Sequence, residues 1–228
     1  MNIFNRHRPI IPAFALIVSR TKMKKGVCVG AIDLENGRFL RLKDEYGGNL
    51  LDDAKYQIRQ IWSVVYKEPY NRRPLPHSED VIVQKSYLQG ELNEDITMLD
   101  FLISHNISVY KGDIKNIFEN KLQMTDSGVC FIGRNNIPTQ SVCFYITDKD
   151  IKLYRYYDKA RYHYKEGNNV FDYSIAYVGF QNPIDIIPKG SLLRMSLSNW
   201  FAKSDNDEEK CYLQLSGWYD IANKVEIK

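Results

Sequence analysis

The segment from Lys152 to Lys165 (KLYRYYDKARYHYK) interleaves cations with tyrosines. Alternate side chains of a strand share one face, which places Tyr154 and Tyr156 together with Lys152. A sheet face that mixes rings with cations can follow a single-stranded nucleic acid and stack on its bases, at about 1–3 kcal/mol per base. The alternative is an ordinary hairpin with partly buried tyrosines and solvated lysines, because Tyr-rich strands are common in β-proteins.

A second group of cations lies in the segment SRTKMKKG, which contains Arg20, Lys22, Lys24 and Lys25. The segment falls at the predicted turn between the first two strands, where four cations could contact phosphates. A solvated turn is the alternative. Arg41 lies on the following strand on the face opposite to Arg38, so only one of these two arginines can join such a patch.

His77 stands next to two carboxylates, Glu79 and Asp80, in the phrase PHSED. Such a trio could bind a metal or transfer a proton. Metal sites, however, use three or more ligands at recognisable spacings, and here the cysteines are scattered singly. We therefore predict a structural polar cluster, in which the carboxylates accept backbone N–H groups where a loop enters a strand, and no metal site.

Trp200 and Trp218 lie in polar surroundings, in RMSLSNW and LSGWY. A Trp in a cleft is a strong anchor for a base or a ligand ring, whereas the alternative places both indoles in the core. Ser196 shares this polar setting but is not in a G-x-S-x-G context, which argues against a nucleophile. The phosphate-loop, dinucleotide and H-E-x-x-H motifs are also missing from the sequence. We therefore expect no catalytic residues, no cofactor and no enzyme activity.

Composition favours a folded, soluble chain of 228 residues with a hydrophobic fraction of 44%, a charged fraction of 26% and a net charge of +3. These are ordinary values for a globular protein, and a mildly basic chain permits anionic partners without requiring them. No apolar run reaches the roughly 20 residues of a membrane span. The four cysteines form no C-x-x-C pair, so we expect reduced thiols, a cytoplasmic location and no membrane partner.

The order of predicted elements indicates a mainly β fold with minor α content. Apolar runs at 13–19 and 26–34 are followed by Asn36-Gly37, a strong hairpin signal, and by strands at 38–42, 57–67 and 80–85. Helical spacing predicts a helix over 92–105 with Asn93 as its N-cap, and a second short helix over 112–122. Closely spaced short strands follow, which suggest a small barrel or sandwich.

Several phrases taken together, SRTKMKKGVCVGAIDLENGRFLRL, PHSEDV, RMSLSNWF and CYLQLSGWY, resemble the prokaryotic dual OB-containing domain family. The resemblance covers nearly the whole chain. It implies two OB-like small β-barrels in one bacterial chain, often encoded beside defence or conflict genes. With the helical segment it predicts a first barrel at 9–90, a helical insert at 91–124 and a second barrel at 125–228. The residues that it singles out are Arg20, Thr21, Cys28, Gly30, Arg41, His77, Glu79, Asp80, Arg194, Ser196, Trp200, Ser216, Gly217 and Trp218.

The leading functional hypothesis is a non-enzymatic protein that binds RNA or single-stranded DNA with weak sequence preference. OB barrels also bind sugars and proteins, so a protein-interaction module of a bacterial defence or regulatory system and a small-ligand sensor are the alternatives. The leading hypothesis requires cations and rings to gather along one concave, water-facing β surface. The predicted phosphate contacts are Arg20, Lys22, Lys24, Arg41, Arg155, Arg161 and Arg194, and the predicted stacking residues are Tyr154, Tyr156, Trp200 and Trp218.

Overall fold

The computed structural model describes residues 9–69, 74–157, 159–165, 173–205 and 207–219. Its first two strands form the hairpin that the sequence predicts. Alternate residues of the first strand, including Ala15 and Ile17, point into the core. Gly26 closes the turn at φ +71°, where a Cβ would lie 2.0 Å from the carbonyl oxygen of Leu50. Only glycine fits this combination of a left-handed backbone and a close approach.

The chain divides into two compact units, which comprise the described residues within Met1–Arg73 and Glu79–Asn93, and within Pro74–Ser78 and Glu94–Lys228. The first unit is a closed barrel with the strand order β1-β2-β3-β5-β4, in which β3 and β5 run parallel. This is the five-stranded architecture expected of an OB-like barrel. Its strands are β1 Ile11–Lys22, β2 Val27–Asp33, β3 Phe39–Lys43, β4 Gln60–Lys67 and β5 Asp80–Glu91.

The second unit contains a sheet with the order β13-β10-β11-β12-β15-β14-β9-β6, and β8 pairs with β7 and β15. Its strands are β6 Val109–Gly112, β7 Gln123–Met124, β8 Cys130–Gly133, β9 Val142–Thr147, β10 Ile151–Tyr156, β11 Lys159–Tyr164, β12 Tyr173–Tyr177, β13 Ile186–Ile187, β14 Leu192–Leu197 and β15 Lys210–Tyr219.

Strands β9 and β10 are separated only by residues 148–150 and act as one bent strand. Asp148 holds the bend, because its Oδ1 accepts hydrogen bonds from the hydroxyls of Tyr145 (3.1 Å) and Tyr164 (2.7 Å). The bent strand pairs with β11 at one end and with β14 at the other, while β12 and β15 run parallel. The second unit therefore repeats the strand order of the first barrel around its own core, and the fold is mainly β with two OB-like units.

The helical segment is shorter than predicted. Helix α1 spans Met98–Ser104, and its N-cap is Thr97, not Asn93, because Thr97 and Asp100 form a capping box. The predicted second short helix at 112–122 is present, but it is shorter and less regular than predicted. This stretch consists of a 3-10 turn at Ile114–Asn116 and a helical turn, α2 Ile117–Asn120, in which Phe118 and Glu119 have left-handed backbone angles. Residues 94–124 lie within the second unit, and the exact domain boundaries stay a prediction.

Candidate nucleic-acid interface

The hairpin β10–β11 has one buried and one exposed face. Leu153 pairs with Tyr162 on the core side, whereas Tyr154 pairs with Arg161 on the outer side. This alternation follows from the two-residue period of a strand. We call the outer set the ring-and-cation face, which consists of Lys152, Tyr154, Tyr156, Lys159, Arg161 and His163.

Aromatic rings are exposed along this face. Tyr154 is 55% exposed, and its ring stacks on that of His163 with the centroids 4.9 Å apart. Tyr156 is 60% exposed and contacts Tyr157 edge to face at 4.8 Å. Each ring is thus held by one neighbour while much of its surface remains in water.

Arg161 is the cation fixed in place on this face. Its Nε donates to the hydroxyl of Ser174 (2.7 Å), and one Nη donates to the Ser174 carbonyl (3.0 Å). Burial lowers the pKa of Arg161, but an arginine stays charged at neutral pH. Lys152, Lys159 and Arg155 are exposed, and Arg155 lies at the end of β10 on the opposite side of the strand. The face therefore carries positive charge around its rings.

The two tryptophans take different positions from the exposed tyrosines. Trp218 is only 5% exposed and packs with Tyr162 and Tyr177 in the core of the second unit, so its ring has no free surface for a base. Trp200 is half-buried. Its Nε1 donates to the carbonyl of Leu75 (3.1 Å), and the Arg134 guanidinium lies 3.8 Å from its ring centroid. The predicted stacking role is therefore left to the tyrosines.

The remaining predicted cations divide between the two units. In the first unit, Lys22 and Lys24 are exposed, and Arg20 donates to Gln57 Oε1 at 2.8 Å. Arg41 forms a largely buried ion pair with Asp80, so its guanidinium is already engaged by a carboxylate. Arg194 lies in the second unit and is 4% exposed.

The residues of the predicted polar cluster have different contacts. The buried ring of His77 lies 3.6 Å from the sulfur of Cys211, Asp80 pairs with Arg41, and Ser196 accepts a hydrogen bond from Ser216. Glu79 is buried, and its carbonyl accepts from the backbone N–H of Arg41 (2.7 Å). Across the described ranges, no three His, Cys, Asp or Glu side chains are grouped as metal ligands. The predicted absence of a metal stays a prediction.

All four cysteines are free thiols, and three of them are buried. Burial raises the pKa of both Cys130 and Cys211 to about 12 and raises that of Cys143 as well. A protonated, buried thiol is a poor nucleophile. Among the described helices, none is long and apolar enough to cross a membrane.

Two contributors to this surface lie outside the predicted site residues. His163 supports the Tyr154 ring, and Ser174 anchors Arg161. The alternation of β11 already placed His163 beside Arg161, so the sequence held that signal. Ser174 lies on β12, and its pairing with β11 is a tertiary contact that no local pattern encodes.

Comparison with known proteins finds one matching family model and several similar solved structures. The family model described as the dual OB-containing domain matches residues 15–218. The chain is similar to the Ifi202 HINa domain, in a structure with 20-bp dsDNA, at 14% identity and a TM-score of 0.36, with 90% of each chain covered. It is also similar to a murine DNA-binding protein bound with dsDNA, at 11% identity and a TM-score of 0.35, with 95% of this chain and 99% of that chain covered.

A comparison with curated protein sequences finds no match. The family match spans all five strands of the first barrel in whole or part, and all of the second except the last residue of β15. The chain belongs to the dual OB-containing domain family.

Proposed function

We propose that this protein binds single-stranded nucleic acid, RNA or DNA, on the ring-and-cation face of its second barrel, with weak sequence preference and without catalysis. The observation that carries the proposal is the Tyr154 ring, which stacks on His163 and is 55% exposed beside Arg161. An exposed ring on a fixed support is a ready stacking platform, because less side-chain freedom is lost when a base binds.

The position of the face in the barrel supports the same function. In strand order, β10, β11 and β12 of the second unit correspond to β1, β2 and β3 of the first. OB barrels bind oligonucleotides on the face of their second and third strands and on the loop between the first two. Tyr156 and Tyr157 lie where β10 enters that loop, and Arg161 lies on the second strand.

The chemistry of the face favours weak sequence preference. Stacking accepts every base because each base has a π-face, and lysines contact phosphates, which carry no sequence information. Base edges are read by hydrogen-bonding groups, whereas the exposed groups on this face are mainly rings and cations. We therefore expect similar affinities for mixed oligonucleotides of the same length.

The test measures binding of a fluorescently labelled mixed oligonucleotide to the wild type and to the double variant Tyr154→Ala/Tyr156→Ala. The variant should lose about tenfold or more in affinity, because each ring stacks about one base. Tyr87→Ala is the matched control, because Tyr87 is also 60% exposed on a strand but lies in the first barrel. It should bind as the wild type does.

Salt dependence provides a second measurement on the same samples. The logarithm of the affinity should fall linearly with the logarithm of the salt concentration, by a slope of roughly −0.7 per phosphate neutralised. Binding that ignores salt, or equal losses in the double variant and in Tyr87→Ala, would contradict the proposal. Failure of the wild type to bind any mixed single strand would refute it directly.

A further inference from the structure

Arg194 is a buried cation on the outer side of the second barrel. Its neighbours in sequence, Leu193 and Met195, point into the core, so Arg194 points outward, opposite Phe144 on β9 and Gly217 on β15. The residue is only 4% exposed. Within the described residues its Nε is buried without a hydrogen-bond acceptor, and no ion pair to the guanidinium is found among them.

Such an arrangement calls for an anion. Burying a charge is costly unless it is paired and hydrogen-bonded, and buried polar groups in native proteins nearly always have a partner. A guanidinium offers a planar fork of donors that fits the oxygens of a phosphate or carboxylate. Arg194 is therefore suited to an anionic group that arrives from outside the described chain.

A second donor lies nearby on the same strand face. The hydroxyl of Ser216 donates to that of Ser196 at 2.7 Å, which leaves the Ser196 proton free to donate elsewhere. Ser196 is two residues from Arg194 on β14, about 6.5 Å along the strand. Ser196 is partly exposed, so a ligand can reach its hydroxyl.

A bulge in β15 lies beside the guanidinium. The register shifts between Arg194 and Met195, so that Arg194 faces Gly217 and Ser216 is the additional residue. Gly217 contributes no side chain of its own, and the place that a side chain would take is filled by Gln181. A Cβ at that position would lie 2.9 Å from the Oε1 of Gln181, whose amide is fixed by two hydrogen bonds to the backbone of Trp218.

We propose that Arg194 and Ser196 bind a single phosphate group, either a terminal phosphate of a nucleic-acid strand or free phosphate. A phosphate is favoured over a carboxylate because it presents more acceptor oxygens to two separate donors. Its terminal form is favoured because a phosphate flanked by sugars on both sides cannot approach a guanidinium that is 4% exposed.

The position of this site suggests that the phosphate is the terminal phosphate of a bound nucleic-acid strand. This part of the inference rests on the proposed function. Arg161, Ala176, Gln214 and Ser196 are successive partners across β11, β12, β15 and β14, on one outer surface of the sheet. Three strand spacings of about 4.8 Å put Ser196 about 14 Å from Arg161 along the sheet. A strand on the ring-and-cation face could therefore end at Arg194.

The first experiment measures thermal unfolding with inorganic phosphate against chloride at equal ionic strength. A ligand that binds only the folded state raises Tm, so the wild type should show a phosphate-specific rise that Arg194→Met lacks. Arg134→Met is the matched control, because Arg134 is an exposed arginine of the same unit paired with Glu209. It should keep the full response.

Without ligand, Arg194→Met should be at least as stable as the wild type, because it removes an unpaired buried charge. If this variant does not fold, Ser196→Ala provides the test and should weaken the phosphate response several-fold. A wild type without a phosphate-specific rise, an unchanged rise in Arg194→Met, or an unchanged rise in Ser196→Ala would overturn the proposal.

The second experiment compares oligonucleotides with 5′-phosphate, 3′-phosphate and hydroxyl ends. One phosphorylated form should bind the wild type about tenfold more tightly than the hydroxyl form, and Arg194→Met should remove this difference. If phosphorylated and hydroxyl-ended oligonucleotides bind equally tightly while inorganic phosphate still raises Tm, the ligand is free phosphate and not the end of a strand. The proposal that the ring-and-cation face binds the strand is tested separately. It fails if hydroxyl-ended oligonucleotides bind the double variant Tyr154→Ala/Tyr156→Ala as tightly as they bind the wild type.

Discussion

The two barrels share a strand order but carry opposite chemistry on corresponding outer faces. In the first barrel, the row across β1, β2, β3 and β5 is Ser19, Gly30, Arg41 and Asp80, and it ends in a largely buried ion pair. In the second, the row across β10, β11, β12 and β15 is Tyr154, Arg161, Ala176 and Gln214. In the first row the cation is paired with a carboxylate, Asp80. The second row combines an exposed ring with a cation and contains no carboxylate.

This difference shows that the same barrel architecture can carry different surface chemistry, because the side chains and not the fold determine function. Lys43 in the first barrel is 3% exposed and donates to Asn49, so it is held within its own unit. The corresponding surface of the second barrel leaves Tyr154 and Tyr156 in water. We therefore propose that the first face stabilises its barrel and that the second face binds the ligand. The following predictions test that difference.

The largest expected effect is on the core of the second barrel. Trp218→Ala should lower the free energy of unfolding by about 3–5 kcal/mol, because a large buried aromatic side chain is lost. Urea denaturation measures this change. Trp200→Ala is the control and should cost less, because its ring is half-buried. Unchanged stability combined with lost oligonucleotide affinity in Trp218→Ala would return this residue to the binding surface.

The ion pair of the first barrel should show a similar or slightly smaller effect. Asp80→Ala should destabilise the protein by about 3 kcal/mol, because it leaves Arg41 buried and uncompensated. The double variant Arg41→Met/Asp80→Leu should recover most of this loss. Denaturation midpoints measure both, with Arg194→Met as the contrast that should cost nothing. A neutral Asp80→Ala would show that the first face is not stabilised by this pair.

Lysine substitutions should show which of the two faces contacts phosphates, with a moderate loss of affinity for the oligonucleotide. Lys159→Gln should make the salt slope of oligonucleotide binding shallower by about 0.7, because one phosphate contact is lost. Lys24→Gln, at a position of the first barrel that is also exposed, should leave the slope unchanged. The measurement is a salt titration of each variant. A change in slope for Lys24→Gln alone would move the interface to the first barrel.

The smallest expected effect concerns acid stability of the second unit. Hydrogen bonds from Lys121 and Thr139 lower the pKa of Glu119 to about 2. Because this pKa is lower in the folded protein, the Glu119 carboxylate stabilises the fold above the pKa of an unfolded Glu, about 4.3. That contribution is lost as the pH falls through about 2.

Glu119→Gln should therefore cost about 1 kcal/mol near pH 6, a value reduced for solvent screening of a carboxylate that is one-third exposed. The difference between variant and wild type should narrow from about pH 5 downward. Unfolding curves across this pH range measure it. A constant difference at every pH would show that the carboxylate's charge is not responsible.

Local patterns in the sequence predicted the elements, and tertiary pairing decided the sites. Asn36-Gly37 correctly marked the hairpin of β2 and β3, and alternation correctly placed Tyr154 and Tyr156 on one face. The pairing of Arg41 with Asp80 joins residues 39 positions apart through parallel strands, which no local pattern encodes.

Burial separated residues that look alike in the sequence. Trp218 sits in polar surroundings along the chain but packs between Tyr162 and Tyr177 in space. The helix start moved from Asn93 to Thr97 because the capping box requires an acceptor three residues on, which Asp100 supplies. Types and periods of side chains were thus predictable, whereas their partners across the sheet were not.

The most direct test of the central claim locates the bound strand on the protein. A photoreactive single-stranded oligonucleotide is bound, crosslinked by light and mapped by mass spectrometry to the residue attached. We predict crosslinks at Tyr154, Tyr156 or Tyr157 on the second barrel, competed by unlabelled single strands. Crosslinks confined to the first barrel, around Lys22 and Lys24, would contradict the account.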